Sequence, residues 1–291
     1  MPHRKRFACR PLPFLLASAL LASAAPAFAG GICTLGQSGA TTLPDGGTAV
    51  GEDATSCGDR NTAEGLSASA FGSDNHAAGI ASSAFGYGNI TYGYSSAMGY
   101  SNLAGTTATS AASAFGYYNR ATGDYSTALG FYGTASNTGS LAISSWNDIN
   151  ADGGRDSNEL ASATASNAIA IGGAVLASGQ QSLAVGNNNI ASGPGAVAVG
   201  TRVQAQGTNS AAFGVDARAT AANSTAIGSG AVATESNTVS VGDAGGQMNR
   251  IVNLADGTAV HDAVNVGQLN AAIAGVAASG QRWRDRYLPR R

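Results

Sequence analysis

Glycine recurs at a fixed step of 14 residues through the second half of this chain: Gly172, Gly186, Gly200, Gly214, Gly228 and Gly242. A short fixed period is the signature of a solenoid or array and constrains the fold before any other feature does. Ser182-Leu183-Ala184-Val185-Gly186 is representative. Alternation along a strand puts Leu183 and Val185 on one face and Ala184 on the other. The glycine then allows a turn that a Cβ would resist. A second glycine often follows seven residues later, as at Gly179, Gly193 and Gly207. One period therefore reads as two short strands and two turns. This is one coil of a parallel β-solenoid, with coils stacked at about 4.8 Å. A coil this small is expected to enclose one or two aliphatic side chains per level. Its Ala and Gly walls bury little apolar area at roughly 25 cal/mol per Å². Such a column is expected to pack sideways on copies of itself in a closed cyclic assembly.

The same phrase runs back through Ser69–Gly72, Ser83–Gly86, Ser96–Gly99, Ser113–Gly116 and Thr127–Gly130, at steps of 14, 13, 17 and 14. Small insertions therefore fall at turns. Ser140–Ser144 keeps the register with Ser144 in the glycine slot, and the next step, to Gly172, is 28. The repeats are assigned to residues 67–246, with a polar insertion at 145–160. Residues 30–66 read as an irregular cap in which Thr48–Gly51 resembles an early coil. After Gly242 the pattern stops and a connecting segment spans 247–270. Asp262 reads as a helix N-cap. Val266, Leu269, Ile273 and Val276 follow at helical, heptad-like spacing. Gly280 is expected to end that helix within the last segment, 271–291.

Residues 1–29 read as a secretory signal: Arg4, Lys5, Arg6 and Arg10, an apolar run from Leu12 to Ala25, then Ala27-Phe28-Ala29 before Gly30. Removing 29 of the 291 residues leaves 262 with 11 basic and 17 acidic side chains, a net charge of −6. Lys5 is the sole lysine. An acidic, lysine-free body argues against nucleic acid and anionic membranes as partners. Cys33 and Cys57 remain in the exported chain and are candidates for a disulfide.

The signal, the S-x-A-ϕ-G repeats and the phrase IVNLADGTAVHDAVNVGQLN (residues 251–270) together resemble the YadA-like trimeric autotransporter adhesins. The repeats resemble that family's head. Residues 249–270, with Asp262, Asn265, Gln268 and Leu269, resemble its neck before a coiled-coil stalk. The resemblance implies an all-β fold, a left-handed parallel β-roll assembled as a homotrimer, followed by a neck and a short coiled-coil start. It also implies a bacterial cell-surface adhesin that attaches to host extracellular matrix or cell surfaces, through a matrix protein or a surface glycan. His261 stands where that neck usually has Thr or Ser. The family's C-terminal barrel anchor is not matched, since the chain ends Pro289-Arg290-Arg291 without alternating strands. A secreted or periplasmic location is thus kept beside surface display.

Two stretches carry candidate chemistry. Asp148, Asn150, Asp152, Gly154, Asp156 and Glu159 match the spacing of a 12-residue calcium loop. The other reading is a solvated acidic insertion; no cofactor is required by the fold. Eight of nine tyrosines fall within residues 87–132, and Tyr87, Tyr100, Tyr117 and Phe131 each follow a repeat glycine. In register they form an aromatic column suited to binding protein or sugar surfaces, or one that only steadies the stack. No nucleophile–base pairing can be read, so the chain is not expected to be an enzyme. The alternatives are a solenoid acting on polysaccharide through the acids at 148–159 and a purely structural or truncated head.

Overall fold

The computed structural model describes residues 33–35, 41–42, 46–154, 156–243 and 245–287. The proposed signal, residues 1–29, lies outside them. The body is a parallel β-solenoid made of two 14-stranded sheets. Each coil has one strand of up to five residues, such as Leu183–Asn187, and one of two residues, such as Ile190–Ala191. Like stacks on like: Leu183 pairs with Val197, Ala184 with Ala198, Val185 with Val199 and Gly186 with Gly200.

The expected filling of the coil is reversed. Ala184 and Ala191 are fully buried, whereas Leu183 and Val185 point outward and are half-exposed. The core is a continuous alanine stack from Ala97 to Ala233, with a second cluster from Ala49 to Ala84. Val175 and Val203 are the larger apolar side chains within it. Successive coils stack closely at the glycines: a Cβ placed on Gly186 would lie 1.9 Å from the carbonyl oxygen of Gly200 in the next coil, and one on Gly79 2.0 Å from that of Gly93.

A column of asparagines lines the first corner, three residues after the repeat glycine. Asn75 Nδ2 donates to Asn61 Oδ1, Asn89 to Asn75 and Asn102 to Asn89, each at 2.9 Å. Asn119 continues the ladder at 3.1 Å. Each amide also donates to two backbone carbonyls, as Asn89 does to Phe85 (2.9 Å) and Gly99 (2.8 Å). These amides tie the corner to the ends of the long strands on their own coil and the next.

The stack begins earlier than residue 67. Thr48–Ala49 (β3) and Thr55–Asp59 (β4) already pair in parallel with the next coil. The first two strands, Cys33–Leu35 (β1) and Thr41–Thr42 (β2), run antiparallel on β4 and β3 and cover the two open sheet edges. Cys33 and Cys57 lie opposite each other across β1 and β4 and are bridged, Cα to Cα 4.0 Å.

The 28-residue step is a bulge at one corner and not a missing coil. Leu141–Ser144 pairs directly with Ile169–Gly172, so residues 145–160 leave the ladder unbroken. The C-terminal helix (α1) spans Val266–Tyr287 and passes through Gly280. The expected stop fails because an interior glycine costs only about 1 kcal/mol relative to alanine, and Ala277, Ala278, Gln281 and Arg282 favour the helix.

Candidate functional site

The first, third and fifth residues of each long strand share the outer face. The fifth position holds Tyr87, Tyr100, Tyr117 and Phe131, and the parallel register sets them one above another. Ring centroids are 5.0, 5.0 and 5.3 Å apart, with planes within 15°. The three tyrosines are exposed. Offset stacks of this kind add roughly 0.5–1.5 kcal/mol per pair. The Tyr100 hydroxyl is held above its usual range, chiefly by the neighbouring Tyr118 phenol.

Sequence reasoning missed a second column at the adjoining corner. Tyr118 and Tyr132 stack at 4.8 Å and 3°. Both sit in left-handed backbone, at φ 55° and 54°. That conformation is uncommon for bulky residues and is held here by the coils above and below. Tyr132 meets Phe131 and Tyr117 edge-on, at 4.7 and 5.6 Å. The doublets Tyr117-Tyr118 and Phe131-Tyr132, one period apart, were the available signal. At the same corner slot Arg60 grips Asp74 with two bonds (2.6 and 2.7 Å), and Arg202 grips Asp216 likewise. Each guanidinium holds its carboxylate below the usual range.

The insertion emerges at this corner, directly beside the aromatic columns. Its six calcium-spaced residues are linked to one another and to backbone donors. Gly153 N donates to Asp148 Oδ2 (2.9 Å) and Gly154 N to Asp152 Oδ1 (2.6 Å). Asn150 Nδ2 donates to Asp152 (3.0 Å) and Asp156 (3.1 Å). Glu159 is fully buried and turned into the loop. It accepts from Asp156 N (2.9 Å), Trp146 Nε1 (3.0 Å) and Ile149 N (3.1 Å). Those donors, the Asp156 amide foremost and then the Trp146 indole, hold its carboxyl below the usual range. Among the described residues no three His, Cys, Asp or Glu side chains gather as metal ligands. The bond to Glu159 fixes Trp146, which as a residue is 43% exposed. Tyr117, Phe131, Tyr132, Trp146 and Gly153 together line a shallow cleft of about 230 Å³.

At the neck the helix cap differs from expectation. Asp262 accepts from Thr258 N and Ala259 N, both at 2.9 Å, and so closes a turn before the helix. These amides, Ala259 first, hold its carboxyl low. The N-cap is Asn265, whose Oδ1 accepts from Gln268 N at 2.9 Å. Gln268 Oε1 accepts from Gly257 N (2.9 Å) and faces Asn265 N at 3.4 Å, a capping-box arrangement. Asn265 Nδ2 also donates to Asp256 (2.7 Å), stitching the neck loop to the helix start. Leu269, Ile273 and Val276 stand exposed along α1. His76 faces outward, its Nε2 3.2 Å from Glu64.

Two family models match this arrangement. The YadA head domain repeat aligns with residues 63–89, 110–132, 177–202, 205–231 and 219–243, all on solenoid coils. The coiled stalk of trimeric autotransporter adhesin aligns with residues 250–282. Together they take in just over half of the chain. The chain belongs to the YadA-like trimeric autotransporter adhesins. By its family this adhesin is a non-enzymatic protein. A solved structure similar to it is the collagen-binding domain of the Yersinia adhesin YadA, at 23% identity and a TM-score of 0.26. That likeness covers 78% of this adhesin and 86% of the other chain. No curated protein matches its sequence. Among the described residues no helix is long and apolar enough to cross a membrane.

Proposed function

We propose that this adhesin is exported to the bacterial surface as a homotrimeric, left-handed β-roll head that attaches to host matrix or cell surfaces through its aromatic columns. One observation carries the assembly. The third position of the long strand is apolar on every coil from Phe71 to Ile227, and it points out of the coil. The run is Phe71, Phe85, Met98, Phe115, Leu129, Ile143, Ile171, Val185, Val199, Phe213 and Ile227. Met98, Leu129, Phe213 and Ile227 are exposed, and the others half-exposed. Completing their burial is worth on the order of 10 kcal/mol per chain by area, before association costs. Three copies sharing that stripe supply the apolar core that the alanine stack lacks. The exposed heptad face of α1 continues the same symmetry into a stalk. The insertion's corner must then face outward, because a 16-residue bulge does not fit a shared axis. The fifth-position rings share the outer face with the stripe and stand at its edge next to that corner, so this reading displays them at the rim of the interface, where three copies raise avidity. No cofactor is needed by this reading.

Native mass measurement tests the assembly: a single species of three chains is expected, and a monomer at micromolar concentration refutes it. Replacing Tyr87, Tyr100 and Tyr117 by Ser tests the surface. Attachment of the folded trimer to immobilised matrix is expected to fall at least about tenfold, and unchanged attachment refutes the assignment.

A further inference from the structure

We infer that a groove on the short-strand sheet binds a single-chain aliphatic carboxylate, with its tail beside the insertion and its carboxylate at Arg218. This site is separate from the aromatic columns and goes beyond the adhesive role. The apolar stripe belongs to the long-strand sheet and the groove to the other one. Three features converge. First, the groove has an apolar end. A cavity of about 300 Å³ is lined by Ile149 from the insertion and by Leu160, Val175, Leu176 and Ile190. Val175 is buried and holds the corner slot that Asn189 fills on the next coil, so the floor carries no amide there. Leu176 and Ile190 open the short strands Leu176–Ala177 and Ile190–Ala191, whose alanines are buried while the first residues face out.

Second, polarity changes along the stack. Parallel register places Leu176, Ile190, Gln204 and Arg218 one above another on successive coils. A second cavity, of about 340 Å³, shares Asn188 and Ile190 with the first and is lined further by Arg202, Gln204, Asp216 and Arg218. The two cavities therefore form one groove. Arg202 is committed to Asp216 through two bonds. Arg218 is exposed and, among the described residues, its side chain has no hydrogen bond or ion pair. The lining thus leaves one uncompensated positive charge, on a guanidinium whose fork matches a carboxylate. A monoanion balances it, a cation is repelled, and an uncharged chain leaves Arg218 unused. Third, the apolar end is held in place by the fold. Glu159 accepts from Ile149 N at 3.1 Å, and the carbonyls of Glu159 and Leu160 accept from Ala174 N (2.9 Å) and Val175 N (3.2 Å). The insertion is thereby pinned to the coil it overhangs. Ile190 and Arg218 are two coils apart, about 10 Å. An extended chain advances roughly 1.2 Å per bond, so an acyl chain of about eight carbons reaches from one to the other.

Calorimetry on the adhesin tests this, with binding counted per chain so that the result does not depend on how many chains associate. The probes are octanoate, octanol and octyltrimethylammonium, all below micelle formation, and acetyl-Gly-Gly-Leu with a free carboxylate. Octanoate is expected to bind saturably at one site per chain, severalfold more weakly at high salt than at low. Octanol and octyltrimethylammonium are expected to bind at least about tenfold more weakly than octanoate. Arg218→Gln removes the charge and Ile190→Gln the apolar wall. Both suit the fold, since Gln204 holds the same slot on the coil between them. Each is expected to raise the octanoate dissociation constant at least about tenfold. The inference is overturned if octanoate gives no saturable heat, if octanol or the ammonium binds as tightly, or if either variant binds octanoate as the parent does. It is also overturned if the peptide binds more tightly than octanoate, which reassigns the groove to a peptide terminus. The comparison of probes on the unaltered chain decides the matter even where a variant fails to fold. Attachment to matrix through the tyrosines is read separately, and its loss leaves this groove as it is.

Discussion

Gly86→Ala is the most informative single change to the solenoid. Gly86 has φ +118°, a region that residues with a Cβ enter at a cost of order 1–3 kcal/mol. An added Cβ would lie 2.1 Å from the carbonyl oxygen of Gly99 and 3.2 Å from Asn89 Nδ2. The first neighbour is backbone and cannot swing aside. It also accepts the Asn89 amide at 2.8 Å, so moving it breaks a rung of the asparagine ladder, worth about 1–2 kcal/mol when buried. The expected total is about 3–5 kcal/mol. Because each coil touches only its neighbours, the damage should concentrate between residues 83 and 104. Urea unfolding at fixed chain concentration, with hydrogen exchange mapped by segment, reads both the size and the place. Gly153→Ala is the control: its φ is +71° and no atom lies within 4 Å of an added Cβ, so only backbone strain of about 1–2 kcal/mol applies. The reasoning fails if Gly86→Ala costs no more than Gly153→Ala. It also fails if exchange protection at 83–104 is unchanged.

Three further outcomes are expected. Asn89→Ala leaves Asn102 N, Gly99 O and Phe85 O without the side chain they use, and should lower stability by about 3 kcal/mol in the same unfolding assay. Glu159 is held below the usual glutamate value, so its contribution is complete above about pH 4.3 and is lost as pH falls through its lower folded value. Trp146 fluorescence in the Trp283→Phe chain should shift in that acid window and stay flat from pH 5 to 8. Calorimetry with millimolar calcium should give no saturable heat, because Glu159 is engaged by three internal donors. A one-to-one binding isotherm would show that the loop rearranges around the ion.

The period was readable because glycine is needed where backbones nearly touch, and that need repeats every coil. The inner face was not. Alternation separates Leu183 and Val185 from Ala184, but hydrophobicity alone favours the larger pair as core. The better guide was constancy: Ala163, Ala177, Ala191, Ala205, Ala219 and Ala233 hold one slot, while the outer slots vary. Asn61, Asn75, Asn89, Asn102 and Asn119 show the same constancy and mark the buried ladder. At the neck, Asp262 was read as the cap, and Asn265 takes that place. Only Asn265 is followed three residues later by the Gln268 of a capping box. The aromatic column followed from register alone. Tyr118, Tyr132 and Trp146 did not, since their meeting depends on a left-handed corner and on a loop anchored by Glu159.

The bulge at residues 145–160 leaves the coils on either side in register, as do the 13- and 17-residue steps. Gain or loss of a whole coil would be tolerated on the same grounds, since every coil offers identical hydrogen-bonding edges above and below. Each such event would move the tip by about 4.8 Å. The length of the head is therefore a quantity that whole coils can change in small, even increments, like notches on a telescoping mast, without altering the coils on either side.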